Sequence, residues 1–485
     1  MTSLNAVLVT LALLMSIGVT NAQHTSPSPD PSPSGGLTRR PDELRPADQL
    51  TLRLFNRPLT LGGELESALQ YEQNFTLDDS KDDVFRVSQE LVLEFSYPLT
   101  RNILFFVESI AFYESELYAE DNHRSLQWGI ELGQAWVNFS NVLGSQFGLQ
   151  IGRQGFWEER NWWWDDDLDA VRLFYDAQRL YAEFAVLWES GPVSTDATYN
   201  PEDHAIIRLL GHTEWNWAGD HWLDGFFLYH NDRSSRQRVG QRVKVESEDP
   251  NDAELLWLGV RLSGEVDLGR FGELEYLLDG AWVGGNEIVI DFTEERENQR
   301  YLRVSSRTER AVSGWALNAG ISWETTFPGR PTLTLEYALG SGDRTSERGT
   351  NRAFRQTGLH SNEGRFDGVN YFHYYGELLR PELSNLHIWT VAVGFEFWHS
   401  SSVEFVYHVY HQVHPAPFVR DARLDADPAG KRRAIGQEWD VVVGLQEWKH
   451  VDIELIGSLF RAGPAYGQLS GRTAFGVFFE IDYNF

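Results

Sequence analysis

The sequence predicts an all-β fold: a transmembrane, antiparallel, up-and-down β-barrel of the outer-membrane type, with about 18 strands. Three observations lead there. Apolar residues recur with a period of two over long segments, the connections alternate between short and long, and no apolar run long enough for a spanning helix follows the N-terminus. A chain that crosses lipid without such a helix must satisfy its backbone in a closed sheet. Composition agrees, with 29 Phe, 18 Trp, 18 Tyr and 42 Gly among 485 residues and no cysteine. Lack of cysteine excludes disulfides, thiolate metal centres and cysteine nucleophiles. Lys and Arg total 41 against 71 Asp and Glu, a net charge of -30, which disfavours nucleic acid as a partner.

Taken in order, the N-terminus reads as an export signal. Ala6 to Val19 is apolar but too short to span, and Thr20, Asn21 and Ala22 offer a small-residue cleavage site, although Lys and Arg are missing before the apolar run. Residues 1–22 are therefore assigned to a signal peptide. Residues 23–60, with the tract SPSPDPSPSGG, are assigned to a flexible, Pro/Ser-rich periplasmic segment that cannot bury enough apolar surface to fold. Residues 61–485 are assigned to the barrel.

Leu61, Leu65, Leu69 and Tyr71 alternate with Glu64, Glu66, Gln70 and Glu72; Leu91, Leu93, Phe95 and Tyr97 alternate with Glu90 and Glu94. Successive strand side chains point to opposite faces, so each segment has one apolar and one polar face. The expected strands are 61–75, 84–97, 102–118, 125–139, 146–154, 168–175, 179–189, 204–216, 222–230, 253–267, 273–290, 309–326, 332–340, 386–398, 402–413, 434–447, 451–461 and 470–485. Short connections at 98–101, 176–178, 217–221, 327–331 and 399–401 oppose long polar ones at 231–252, 291–308, 341–385 and 414–433. That is the pattern of short periplasmic turns and long external loops, and an even strand count puts both ends on the periplasmic rim. Trp128, Trp188, Trp215, Trp217, Trp222, Trp282, Trp323, Trp389 and Trp398 near strand ends fit aromatic girdles. The last strand runs Phe475, Val477, Phe479, Ile481, Tyr483, Phe485, and its terminal aromatic looks like an assembly signal of such barrels. A string of soluble β-sandwiches is the alternative fold, opposed by strand length and by the two classes of connection.

Two stretches carry a resemblance. The segment IGRQGFWEERNWWWDDDLDAVRLFYD at 151–176 and the segment FRQTGLHSNEGRFDGVNYFHYYGELLRPELSNL at 354–386 resemble the alginate export porins of Gram-negative bacteria. The resemblance covers roughly 60–485 and implies a monomeric, eighteen-stranded outer-membrane barrel. It further implies export of alginate, a polyuronate, through an electropositive pore narrowed by inward-folded loops. Partners would be the anionic polysaccharide, outer-membrane lipid, and periplasmic secretion and assembly machinery. No cofactor is expected.

Parity places Arg86, Arg172, Arg208, Arg261 and Arg472 on the lumenal face, together with Glu90, Glu94, Glu131, Glu183, Glu214, Glu336, Glu404, Glu438 and Glu480. Ladders of Arg and Glu across strands serve either wall pairing or contact with a polyuronate. The resemblance implies that Arg153, Arg160, Arg172, Arg355 and Arg365 belong to a selective constriction, where a guanidinium fork suits carboxylates. Arg86 joins them by parity. Strict alternation from Ile151 sends Arg153 toward lipid, so either Gly152 makes a bulge or Arg153 sits at the rim. Asp165, with Asp166 and Asp167, forms an acidic run expected in a solvated or Arg-paired loop that tunes the constriction, without the spaced ligands of a calcium loop. Trp162, Trp163 and Trp164 either pack a loop or anchor at the headgroup level, with stacking on sugar rings a third use. His408, His411 and His414 do not face one way on a strand, so no metal site is assigned. No catalytic triad, phosphate loop or distinctive carboxylate pair points to an enzyme, although an outer-membrane polysaccharide-modifying enzyme and a small-anion uptake porin remain as rival functions.

Overall fold

The computed structural model describes residues 49–78, 83–119, 125–188, 194–195, 206–234, 237–244, 251–294, 301–344 and 349–485. The expected signal peptide and most of the expected N-terminal segment lie outside them. Alternation produces the barrel that it predicts. The wall strands are β1 (Arg57–Gln73), β2 (Val84–Thr100), β3 (Ile103–Ala119), β4 (Leu126–Phe139), β5 (Phe147–Trp157) and β6 (Asp165–Ala177). They continue through β7 (Leu180–Trp188), β8 (Ile206–Ala218), β9 (His221–Asp232), β10 (Asn251–Asp267), β11 (Glu273–Glu294) and β12 (Tyr301–Glu324). The ring is completed by β13 (Thr332–Gly340), β14 (Leu386–Phe397), β15 (Ser401–Gln412), β16 (Ala434–Trp448), β17 (Val451–Ala462) and β18 (Thr473–Asn484).

Each wall strand pairs antiparallel with its chain neighbours, and β1 pairs with β18 from Glu64↔Asn484 to Gln73↔Phe475, so the sheet has no open edge at that depth. Phe485 extends the seam: its amide donates to the Gly63 carbonyl at 3.0 Å and its carbonyl accepts from the Gly63 amide at 2.9 Å. Gly63 must be glycine there, since a Cβ would lie 2.7 Å from the Phe485 ring and 2.2 Å from the Val92 carbonyl. The outer face is apolar and ends in tryptophans, with Trp128, Trp389 and Trp398 more than half exposed.

Four local expectations are corrected. Leu50–Leu54 is a strand paired to Arg57–Leu61 around a two-residue turn, Phe55–Asn56, with φ of 49° and 61°, so strand begins inside the stretch assigned to the flexible segment. Asp165–Asp167 is not a loop but the start of β6, held by ladder partners Trp157, Phe156 and Gly155. The polar stretch 291–308 keeps its ladder to Glu294 and from Tyr301, because Val243, Ile290 and Val304 form a small separate core against that hairpin. Trp222 shares the face of Asp224 and Phe226 and lines a lumenal cavity, so it belongs to no girdle.

The core is inverted relative to a soluble protein. Lipid takes the outside, and two chain segments fold into the lumen: the turn 158–164 and the long connection 341–385. Trp162, Trp163, Trp164, Phe354, Tyr374, Tyr375, Leu379 and Leu383 are all buried there. A buried loop needs partners for its backbone. Here the Asp165 amide donates to Leu359 O at 2.5 Å, Phe354 N to Ser341 O at 2.8 Å, and Glu363–Gly364 pairs with Phe372–His373 as a miniature hairpin.

Candidate functional site

Glu158 organises the shorter plug segment. Its carboxylate accepts the amides of Trp162 at 2.5 Å, Trp163 at 3.0 Å and Arg160 at 3.0 Å, closing the turn that presents the three tryptophans. It also accepts from Arg261 Nη1, whose Nε donates to Asp279 at 2.8 Å. Burial by itself would raise the Glu158 carboxyl; the Arg261 guanidinium and the backbone amides outweigh it and hold the group below the ordinary carboxylate value. Trp163 stacks on Phe226 at 4.9 Å and 11° and lies against Gly259, where a Cβ would come within 1.9 Å of the indole. Gly259 thus supplies a flat seat on the wall.

The longer plug segment is fastened the same way. Glu438 of β16 accepts the amides of Leu378 at 2.6 Å and Leu379 at 3.1 Å, and Tyr410 Oη donates to Tyr375 O at 2.9 Å. Glu382 accepts the Gln356 amide at 2.5 Å. Burial raises the Glu382 carboxyl against the opposing pull of Arg420 and that amide. No spacing in the sequence links Glu158 to Arg261 and Asp279, or Glu438 to the loop, so these anchors were missed as plug contacts.

Four of the six candidate arginines are committed to carboxylates. Arg172 is 4% exposed, donates from Nε to Glu183 at 2.5 Å and from Nη1 to Gly155 O at 3.2 Å, and lies over the Phe156 ring. Arg160 donates to Glu336 at 2.6 Å and covers Tyr374 at 4.3 Å. Arg355 meets Glu287 at 2.7 Å, and Arg310 reaches the same carboxylate at 2.6 Å. Arg86 lies between Glu114 at 3.1 Å and Glu116 at 3.3 Å. Arg365 stacks over Tyr371 at 4.7 Å.

Two lumenal cavities gather the candidates. One of about 230 Å³ brings Arg160 and Arg365 together with Glu159, Glu275 and Glu336. A larger one of about 820 Å³ is lined by Arg153, Arg380 and Asp165, and by carboxylates of β1, β2, β17 and β18 such as Glu66, Glu90, Glu454 and Asp482. Arg86, Arg172 and Arg355 line neither. Arg153 reaches the lumen although simple alternation points it outward. The pairing of β5 with β6 runs without a register shift, so no bulge is present. Instead Gly152 takes φ 126°, a region closed to other residues, and a Cβ there would sit 2.2 Å from the Ala135 carbonyl. That turn of the backbone re-aims its successor.

A closed eighteen-strand ring with an apolar belt and a lumen partly filled by its own loops is the architecture of an outer-membrane channel. The model of the family described as alginate export matches residues 58–479, and the chain belongs to that family. It is 26% identical over 369 residues to the alginate production protein AlgE of Pseudomonas aeruginosa, covering 72% of this chain and 73% of the relative. The same protein of Azotobacter vinelandii is 26% identical over 368 residues, with 69% and 73% covered. Among solved structures, OccK5 (OpdH) of Pseudomonas aeruginosa shares the fold with a TM-score of 0.51 at 12% identity, covering 87% of this chain and 97% of that one. OccK2 (OpdF) of the same organism, solved in complex with glucuronate, also has a TM-score of 0.51 at 12% identity, with 87% and 96% covered.

Proposed function

We propose that this protein exports alginate, or a similar anionic exopolysaccharide, from the periplasm across the outer membrane. The observation that carries the reading is a family match running through nearly the whole of a closed barrel, residues 58–479. On this reading residues 1–22 direct export, residues 23–60 precede the barrel in the periplasm, and the short-turn rim faces the periplasm. The barrel works as a monomer and is passive. The driving force comes from synthesis and from periplasmic partners.

The finer proposal concerns the path. Arg160, Arg355, Arg365 and Arg380 ride on the inward-folded segments, while their wall partners Glu336 and Glu287 remain on the barrel. Complete withdrawal of the plug would leave a polyanion facing carboxylates, which repel it in a partly desolvated pore. The polymer is therefore expected to thread beside the plug, along Arg153, Arg365 and Arg380, with anion preference set there. Asp165, which lines the larger cavity with Arg153 and Arg380, tunes that preference. The test is secretion of uronate polymer by cells lacking their own alginate porin and supplied with this chain, beside planar-bilayer conductance. Restored secretion, and loss of anion preference in Arg153→Glu and Arg365→Glu, are expected. Folded barrel in the outer membrane that passes glucuronate but secretes no polymer would assign it to small-anion uptake instead.

A further inference from the structure

We infer that the lumenal wall carries a divalent transition-metal site built from His212, Glu214 and Asp224. The first two are on the inward face of β8, and Asp224 of β9 stands opposite Glu214 in register. The candidate ligand atoms of the three residues lie within 4.8 Å of one another.

Asp224 is buried and His212 nearly so, and each has an unused ligand atom. Asp224 is 7% exposed, and its Oδ1 has no hydrogen-bond partner among the described residues. The same holds for His212 Nε2, on a side chain 10% exposed. A carboxylate oxygen and an imidazole nitrogen withdrawn from water without partners are costly. They are the donors a metal ion would satisfy.

The histidine is also oriented as a ligand. Its ring is clamped by stacking on Phe226 at 4.6 Å and 6°, with the Trp164 ring edge-on at 6.1 Å. Nδ1 faces Glu183 Oε1 at 4.0 Å. At that distance no hydrogen bond forms, but the carboxylate favours by charge the tautomer with its proton on Nδ1, which leaves the Nε2 lone pair for a metal.

Local charge points the same way. Arg261 is engaged by Glu158 and Asp279, and Arg172 by Glu183. Asp224 stands opposite Arg261 in register, but with Glu214 it brings the carboxylates of this group to five, Glu158, Asp279, Glu183, Asp224 and Glu214, against the two guanidiniums. A dication would balance them. One imidazole nitrogen and two carboxylate oxygens suit zinc or a similar ion, with bonds of about 2.0–2.2 Å and water completing the shell. Calcium, which takes about 6–8 oxygens, is poorly served. A tetrahedral site needs ligand atoms about 3.4 Å apart, a closure that rotation of the half-buried Glu214 side chain supplies. Because His212 touches Trp164, an occupied site would tie the plug turn to the wall.

The test is zinc titration of the folded, chelator-stripped barrel in detergent at pH 7, by calorimetry with elemental analysis. One zinc per chain is expected, undisturbed by equal calcium. Asp224→Asn and His212→Gln, each shown folded by its heat-modifiable mobility, should weaken binding at least tenfold. Glu214→Gln, at a less buried position, serves where either fails to fold. Glu66→Gln, in the separate all-carboxylate cluster with Glu480 and Asp482, should leave zinc affinity unchanged. A folded wild-type barrel that takes up no zinc, or folded variants with unchanged affinity, would overturn the site.

Discussion

The two sides of the lumen solve the problem of buried charge differently. Against β6–β13, carboxylates meet guanidiniums: Glu183 with Arg172, Asp279 and Glu158 with Arg261, Glu336 with Arg160, Glu287 with Arg310 and Arg355. That side is largely filled by the tryptophan turn, apart from the cavity of about 230 Å³ beside Arg160 and Glu336. Around β17, β18, β1 and β2, carboxylates stand opposite carboxylates in the ladder itself: Glu66↔Glu90, Glu66↔Asp482, Glu480↔Glu454 and Asp482↔Asp452. This side borders the cavity of about 820 Å³. Like charges directly opposite destabilise a sheet, and only a wet lumen tolerates them in such number. Pairing therefore marks where the plug is fixed, and the longest run of facing carboxylates marks the side that borders the larger cavity; Asp224↔Glu214 and Glu265↔Glu275 are isolated exceptions on the packed side.

The comparison breaks most directly at Arg261. Arg261→Met leaves Glu158 and Asp279 buried without their shared cation, and the expected cost is about 3–5 kcal/mol, read as a lower urea midpoint of the refolded barrel. A change below about 1 kcal/mol would show that the packed side does not depend on its ion pairs. Next comes Arg355→Gln, which removes one fastening between plug and wall while Arg310 still serves Glu287. A loss of about 1.5–3 kcal/mol in plug docking is expected, seen as higher single-channel conductance and faster proteolysis within 341–385 at unchanged barrel stability.

Acid should loosen the plug next. Burial holds His360 and His373 down to about 4, against the usual 6.5. Around His373, Glu363 and Glu377 favour the charged ring, while Arg380 and Arg423 oppose it. For histidines depressed in the folded state, the unfolded chain binds more protons between these values. Their contribution is present above 6.5 and lost as pH falls toward 4. At pH 5 it amounts to about 1–2 kcal/mol for each histidine. Conductance should rise from pH 7 to pH 5, and much less in the double variant His360→Gln, His373→Gln; equal rises in both proteins would place the sensor elsewhere. The smallest effect belongs to the wet side. Glu66→Gln with Asp482→Asn relieves facing charges, and should leave stability unchanged or raise it by up to about 1 kcal/mol. Destabilisation on the scale of Arg261→Met would erase the contrast between the two sides.

Strand existence and order could be read residue by residue, because alternation is a local signal that lipid on one face and water on the other enforce. Where reading failed, a non-local partner had intervened. The ladder partners of Asp165–Asp167 on β5 turned an expected loop into strand, and the Val243 cluster kept 301–308 paired. At Arg153 strict parity misleads for a local reason of a different kind: Gly152 at φ 126° overrides it, and although the sequence points to that glycine, residue type alone does not disclose its dihedral. Among the candidate site residues, the arginines could be named from the sequence, but the carboxylates that hold them could not. Glu336 lies far from Arg160 in sequence, and Glu287 far from Arg355, and no periodicity reports contacts between a folded-in loop and a wall.

The seam between β1 and β18 bears on how the molecule comes into being. Glu64 meets Asn484 only after nearly all the intervening chain has been made. Among the described residues, every other pairing between the eighteen wall strands joins neighbours in sequence, so the ladder can grow strand by strand, each step closing a modest loop. The final step alone spans the whole ring. Until it happens, β1 keeps a free backbone edge able to template any other strand. Truncation from the C-terminal side would not yield a narrower barrel but an open sheet with two adhesive margins. Leu50–Leu54 covers only the Arg57–Leu61 part of that edge, so the Glu64–Gln73 part must be sheltered by something else for as long as assembly lasts.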